Sequence, residues 1–509
     1  MKLSELRNKY KGTYNTYIKD EFKKDDEINT EVVKTKNIIK EVKLDTNTYR
    51  KTKMIDSLDS NNVESDNDNI QINNIVSDNN EEENKILDNM KIIGITGSKG
   101  KSTIAYLIHS YLKSTGHKSI LYSSIVIDSP CTSRINLAKE EAIKSMNTFL
   151  SILDEAILHK AEYLVLELNE TILSSNEIKD IPFDVKILTN IYNNSNLDKF
   201  ENNEYVSLKK NFIINTNKDC TCILGLNGNI DRNLFNELLN SNDSNMVTFS
   251  SKFICEIKNC NYNNIDYLLM ENERPLLSMD GLNFDIRIKD ETRSFKTNLL
   301  LTQNALNITC VVSALNELNV FDYDKFNSLI SNINIPGREE VIKYNNRTII
   351  FGLTFNPMVE TLKKLSDVGE INKIKVLYGP LGYGFVTWDE ASNSIKRINR
   401  LSLNHKYAME YVQDYIDEIY LTSNDPAKAN KLDLIEDCAS YITKDIKVYK
   451  IEDRKEALRR IIRESNEGDV IYIAGRGNRE IYCMDESHIE LFSDREIVEE
   501  ELYKWLILF

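Results

Sequence analysis

Residues 91–103 read KIIGITGSKGKST. An apolar run (Ile92, Ile93, Ile95) leads into Gly97, Gly100, Lys101, Ser102 and Thr103. Ile104, Leu107, Ile108, Tyr111 and Leu112 follow at the spacing of one helix face, and Gly116 supplies a stop. The glycines therefore sit on a strand-to-helix turn, where a phosphate-binding loop must sit. Glycine lets the backbone approach phosphate oxygens, and the N–H groups of a helix N-terminus point at the anion. Lys101 is placed to reach the β- and γ-phosphates, and the Ser102 hydroxyl to ligate Mg²⁺. The usual spacing needs glycine five positions before the glycine of the Gly-Lys pair, and that position is Ile95.

Bulk properties narrow the class. With 509 residues the chain is long enough for two or three domains. Its formal charge of −15, with no basic cluster beyond pairs such as Lys209–Lys210, argues against a nucleic-acid partner. The eight cysteines show no metal-ligand spacing and read as reduced thiols. The N-terminus lacks an apolar signal region, and no run of about 18 apolar residues occurs. A cytoplasmic protein with no membrane span is expected. None of the five histidines (109, 117, 159, 405, 488) falls on a motif below, so neither a zinc site nor a Ser-His-Asp triad is supported.

Residues 1–88 hold one glycine, Gly12, and no proline. Around 54–86 the chain is acidic and rich in Asn and Ser, the composition of a disordered linker. From 89 onward, strand-like runs at 91–95, 119–127, 162–168, 185–190 and 221–226 and helical patterns at 102–114 and 137–159 predict an α/β domain with a mostly parallel sheet. A second alternating series follows Pro336, with strands at 347–353, 373–378, 417–422 and 468–474, and predicts a Rossmann-like α/β domain. The expected division is 1–88, a polar and partly disordered segment, then 89–334 and 335–509.

The string T-G-x-x-G-K-S, Thr96 through Gly97, Ser98, Lys99, Gly100 and Lys101 to Ser102, resembles the phosphate loop of the Mur ligase family, and Thr103 follows it. The resemblance runs across most of the chain after residue 88 and is strongest to the muramyl-tripeptide synthetase branch. Such enzymes use ATP and Mg²⁺ to convert a carboxylate into an acyl phosphate, which an amino acid amine attacks.

The remaining motifs take their roles from that resemblance. Glu167 ends the strand-like run LVLEL and corresponds to a Mg²⁺ ligand. In residues 187–212, Thr189 and Asn190 match a T-N pair assigned to substrate. Leu197, Asp198 and Tyr205 also match, and Lys209 falls on the lysine that the family carbamylates into a metal ligand. The family histidine falls on Asn196, an amide that ligates Mg²⁺ weakly, and its preceding aspartate on Ser195. Asn304 and Asn307 open a helical pattern like the adenine-contacting helix start. As a plain alternative, asparagine there is an N-cap.

Arg338, in IPGREEVI, resembles the G-R-x-E arginine that contacts phosphate, and alternatively pairs with Glu339 or Glu340. Gly352 and Phe355 stand where V-D-Y-A-H-[TN]-P has its aspartate and histidine. Asp425 and Pro426, in LTSNDPAKAN, resemble the loop that reads the incoming amino acid. Ala427 stands where an arginine would hold the distal carboxylate of diaminopimelate. Arg476 and Asn478 stand for the lysine and histidine of G-K-G-H-E, with Arg476 assigned to substrate.

The expected catalytic set is Lys101, Glu167 and Lys209, and the expected metal set is Ser102, Glu167 and Lys209. Residues 1–88 lack the glycine-rich pattern of a UDP-gripping domain. Three readings remain open: a tripeptide-synthetase-like amide ligase, a UDP-independent relative of the cyanophycin or folylpolyglutamate type, and a nucleotide-binding regulatory paralogue. The partners implied are a small-molecule or peptide carboxylate and an amino acid.

Overall fold

The computed structural model describes residues 2–9, 81–129, 133–135, 146–192, 199–241, 244–270, 276–278, 281–353, 356–367, 371–382, 385–389, 394–398, 403–426, 429–484 and 489–507. Asn196, Phe355, Ala427, His488 and residues 54–80 of the expected linker lie outside them. Residues 81–86 do not belong to a linker, because they begin a helix over 81–89. That helix, the helix over 3–9 and the helix Met146–Leu158 fall in one compact unit. Leu3, Leu6, Leu87, Phe149 and Leu153 are buried, and Arg7 bonds both Glu83 and Asp154.

The other unit holds two larger sheets. In the first, seven parallel strands run in the order Ser119–Tyr122, Tyr163–Glu167, Lys91–Thr96, Val185–Leu188, Thr221–Gly225, Asn245–Ser251 and Tyr267–Leu269. Antiparallel strands extend both edges. Lys91–Thr96 is central and buried on both faces, which explains its continuous apolar run. The helices Lys101–Ser114 and Gln303–Glu317 bring Ile104, Ile108, Val311 and Leu315 into one core with Ile93, Ile95, Val165 and Ile187.

The expected strand over 119–127 is interrupted. Ser123 turns the chain: its N–H donates to the Val126 carbonyl, and its Oγ accepts from the Val126 N–H. Val126–Asp128 then returns antiparallel.

The second sheet has the order Glu340–Tyr344, Arg347–Gly352, Val470–Ala474, Ile374–Tyr378, Glu418–Leu421 and Lys447–Lys450. Its first two strands form a hairpin through Asn345 and Asn346, both with positive φ, as a type I′ turn requires. The remaining pairings are parallel. The α/β reading of both halves therefore holds.

Candidate nucleotide and metal site

The loop Gly97–Gly100 leaves the C-terminal end of the central strand and opens the helix Lys101–Ser114. Gly97 has φ 142° and Gly100 φ 87°. A Cβ on Gly97 would lie 2.0 Å from Thr189 Oγ1, and one on Gly100 would lie 2.6 Å from Asn307 Oδ1. The two glycines thus answer to two neighbours as well as to backbone conformation. No side chain caps the helix at Gly100, so its first N–H groups face outward for an anion.

Thr189 and Asn190 hold this loop. Asn190 Oδ1 accepts from the Lys99 N–H at 2.9 Å and the Ser98 N–H at 3.2 Å, while its Nδ2 donates to the Lys99 carbonyl at 3.0 Å. Thr189 Oγ1 donates to the same carbonyl at 2.8 Å. These polar atoms bond the loop backbone. Thr96 is likewise committed, its buried hydroxyl donating to the Leu168 carbonyl. Thr103 is buried within the helix. Lys101 Nζ donates to the Gly97 carbonyl at 2.9 Å, folded over its own loop.

Buried Glu167 faces the loop from the next strand. Its Oε1 accepts from Ser102 Oγ at 3.1 Å and its Oε2 from the Ser124 N–H at 2.8 Å, and the two serine hydroxyls are 3.0 Å apart. No cluster of three His, Cys, Asp or Glu side chains suited to a metal occurs among the described residues. A cation here would therefore draw two protein ligands, Ser102 and Glu167, and complete its shell with phosphate oxygens and water. That hard, oxygen-only set suits Mg²⁺.

Buried Lys209 lies behind the loop. Its Nζ bonds Glu170 Oε1 and sits 4.1 Å from the centre of the Tyr205 ring. Tyr205 in turn donates to Ser98 Oγ at 2.7 Å. Burial, reinforced by the charge of Lys101 and opposed by Glu170, lowers the Lys209 amine to about 8. Glu170 and Ser124 had no signal in the sequence. Glu170 enters only because Asn169 caps a short helix that aims it at Lys209.

Asn304 and Asn307 are buried in the first turns of their helix, and Asn307 Nδ2 donates to Asn304 Oδ1 at 3.1 Å. Neither is the N-cap, which is Thr302. Arg338 is partly buried. Burial pushes its guanidinium below the ordinary value, while Glu167 and Glu339 support its charge.

Gly352 is filled from elsewhere. A Cβ there would lie 2.0 Å from Tyr472 Oη and 2.9 Å from Glu339 Oε1. Tyr472 donates to Glu339 at 2.7 Å, and Glu339 itself has φ 49°. Burial raises the Glu339 carboxyl to about 7, with the Tyr472 hydrogen bond and Arg338 opposing and Glu360 adding to the rise. An unfolded glutamate ionises near 4.3, so between about pH 4.5 and 7 the folded state binds more protons and stability falls as pH rises. Glu339→Gln removes this penalty. Its melting temperature relative to wild type is expected to climb from pH 5 to pH 8, by an amount on the order of 3 kcal/mol in stability. A difference that stays flat with pH would show that Glu339 titrates normally.

On the second sheet, Asp425 (φ 44°) is buried and shared by Arg476 at 3.1 Å and Arg479 at 3.2 Å. Arg476 is fully buried and braces Asp425. Pro426 follows, its backbone crossed by the chain at Gly382. Partly exposed Arg479, which the motif comparison passed over, is the cation nearer solvent.

Three comparisons bear on this geometry. Residues 95–315 match the Mur ligase middle domain. The chain is 26% identical over 420 residues to a UDP-N-acetylmuramoyl-L-alanyl-D-glutamate–2,6-diaminopimelate ligase of Helicobacter pylori, covering 81% of this chain and 83% of that one. It is 21% identical over 439 residues to a UDP-N-acetylmuramyl-tripeptide synthetase of Borreliella afzelii, covering 82% and 77%. A solved UDP-N-acetylmuramoyl-L-alanyl-D-glutamate–2,6-diaminopimelate ligase superposes with a TM-score of 0.56 at 17% identity, covering 82% and 79%, and supports the fold. With the glycine loop, Lys101, Ser102 and Glu167 assembled at the strand ends, residues 95–315 form a Mur ligase middle domain, and over about four fifths of its length the chain is similar to ligases of the muramyl-peptide type.

Proposed function

We propose that this ligase acts on a carboxylate of the muramyl-peptide type and adds one amino acid, with residues 89–334 holding ATP and 335–509 presenting the amine. The observation that carries the nucleotide half is the joint geometry of the glycine loop, Ser102 and Glu167. A carboxylate oxygen attacks the γ-phosphorus, and the bond to ADP breaks. The amine nitrogen attacks the acyl carbon, the bond to phosphate breaks, and the ammonium's extra proton passes to solvent. Helix N–H groups and Lys101 hold the phosphates in line and stabilise the transferring charge. Ser102 and Glu167 would hold Mg²⁺, which would supply positive charge to offset that developing on the transferring phosphoryl group. Arg338 adds a guanidinium from the start of the second half.

We assign Lys209 as a carbamylation site. With a pKa of about 8, roughly a quarter of the amine is neutral at pH 7.5, against about a thousandth for an ordinary lysine. The resulting carbamate would lie beside Glu170, a pair of anions that favours a cation there. Asn304 and Asn307 supply amides near the loop for the base. No helix among the described residues is long and apolar enough to cross a membrane.

The test is phosphate release from ATP and Mg²⁺ across a panel of amino acids, with UDP-muramyl dipeptide and simple carboxylates supplied in turn. Release that requires both an amino acid and the UDP acceptor is the expected result. Release with another acceptor would move the protein to a UDP-independent ligase. Silence despite ATP binding would leave a nucleotide-binding protein without ligase activity.

A further inference from the structure

The turn Gly475–Asn478 lies at the end of a strand of the second sheet, yet it makes two links toward Glu167 on the first. Asn478 Nδ2 donates to the Ile125 carbonyl at 3.0 Å. Ile125 follows Ser124, whose N–H holds Glu167 Oε2 at 2.8 Å. Ser123 locks the same turn through Val126, so Ser124 and Ile125 move as one piece. The second link is made by backbone. Gly337 has φ 65°, and a Cβ there would lie 2.3 Å from the Asn478 N. The next residue is Arg338, whose charge is supported by Glu167. One turn of the second sheet thus packs against both the Ser124–Ile125 turn that holds Glu167 and the glycine that leads into Arg338.

We propose that Asn478 is a positioning residue for Glu167: it makes the metal-holding geometry of the first sheet depend on the seating of the second. This rests on the reading of Glu167 as a Mg²⁺ ligand. Without Asn478 the Ser123–Val126 turn loses its anchor, the Ser124 N–H strays, and Glu167 Oε2 is free to rotate away from the cation. Nucleotide binding that depends on the metal weakens, while binding through the glycine loop alone persists. The presence of the second sheet over the cleft is thereby registered at the phosphates.

ADP affinity of the full chain, measured by calorimetry from zero to saturating Mg²⁺, tests this. Asn478→Asp is nearly isosteric but turns a charge, not a donor, toward the Ile125 carbonyl. It is expected to weaken affinity at saturating Mg²⁺ by roughly 3- to 10-fold, the range of one hydrogen bond, and to leave Mg²⁺-free affinity unchanged. Asn478→Ala should do the same, and deuterium exchange over 119–128 should quicken in either variant. A purely structural role would instead lower the melting temperature and shift both affinities alike. Variants with wild-type Mg²⁺ dependence and wild-type exchange would overturn the proposal. Unmodified protein whose ADP affinity ignores Mg²⁺ would overturn the metal reading of Glu167 itself, and the two failures are told apart because the second shows in wild type.

Discussion

Lys101→Ala is expected to lower ATP-dependent ligation by about 10²- to 10³-fold, the scale for removing one preorganised group that meets developing charge. The side chain folds over the loop with Nζ 2.9 Å from the Gly97 carbonyl, a neutral partner that it can exchange for a phosphate oxygen. In the proposed mechanism helix N–H groups meet the same phosphates as dipoles, while Lys101 brings a full charge to the β- and γ-phosphates. Its side chain is partly exposed and outside the core, so the alanine variant should fold and melt as wild type does. Steady-state phosphate release with a saturating acceptor and amino acid checks the prediction. Normal ligation by this variant would sink the mechanism.

Lys209 carries the second large effect. Both Lys209→Ala and Lys209→Arg are expected to lose about 10²-fold or more in turnover, because neither can form a carbamate. The arginine variant is the discriminating one. A guanidinium keeps the positive charge and the partnership with Glu170, but it is never neutral near physiological pH. If the lysine served only as a buried cation, arginine would preserve much of the activity. Carbamylation needs the neutral amine, whose share grows as pH rises through about 8. Protein equilibrated with ¹³C-bicarbonate should therefore show a carbamate resonance that strengthens from pH 7 to 8.5 and vanishes in either variant. An active Lys209→Arg enzyme, or wild type without that resonance, would leave Lys209 as the cation of an ion pair.

Much of the frame is local and was legible in the residues. The run KIIGIT, two glycines, Lys101 and a helical stripe leave the backbone little choice, because strand period, glycine freedom and helix period agree over a dozen positions. The alternation of strand and helix implied parallel sheets, since parallel neighbours need a crossover between them. Where the reading erred, a single side chain had changed the course of the chain. Ser123 breaks the apolar run over 119–127 by bonding Val126, and no periodicity announces that choice. The helix over 81–89 looked like linker, because its buried Leu87 and the Glu83–Arg7 pair depend on a segment nearly eighty residues away.

Sequence alone determined the loop proposed to hold phosphate and its companions: the glycine loop, Lys101, Ser102 and Glu167 are adjacent in the chain or end a recognisable strand. Tertiary structure decided what each neighbour is for. Thr189 and Asn190 hold the loop, Arg476 braces Asp425 from full burial, and Glu339 with Tyr472 fills the space over Gly352. The physical reason is common to all three. A polar side chain acts on whichever partner it meets within hydrogen-bond range, and across sheets that partner is set by packing between residues far apart in the chain.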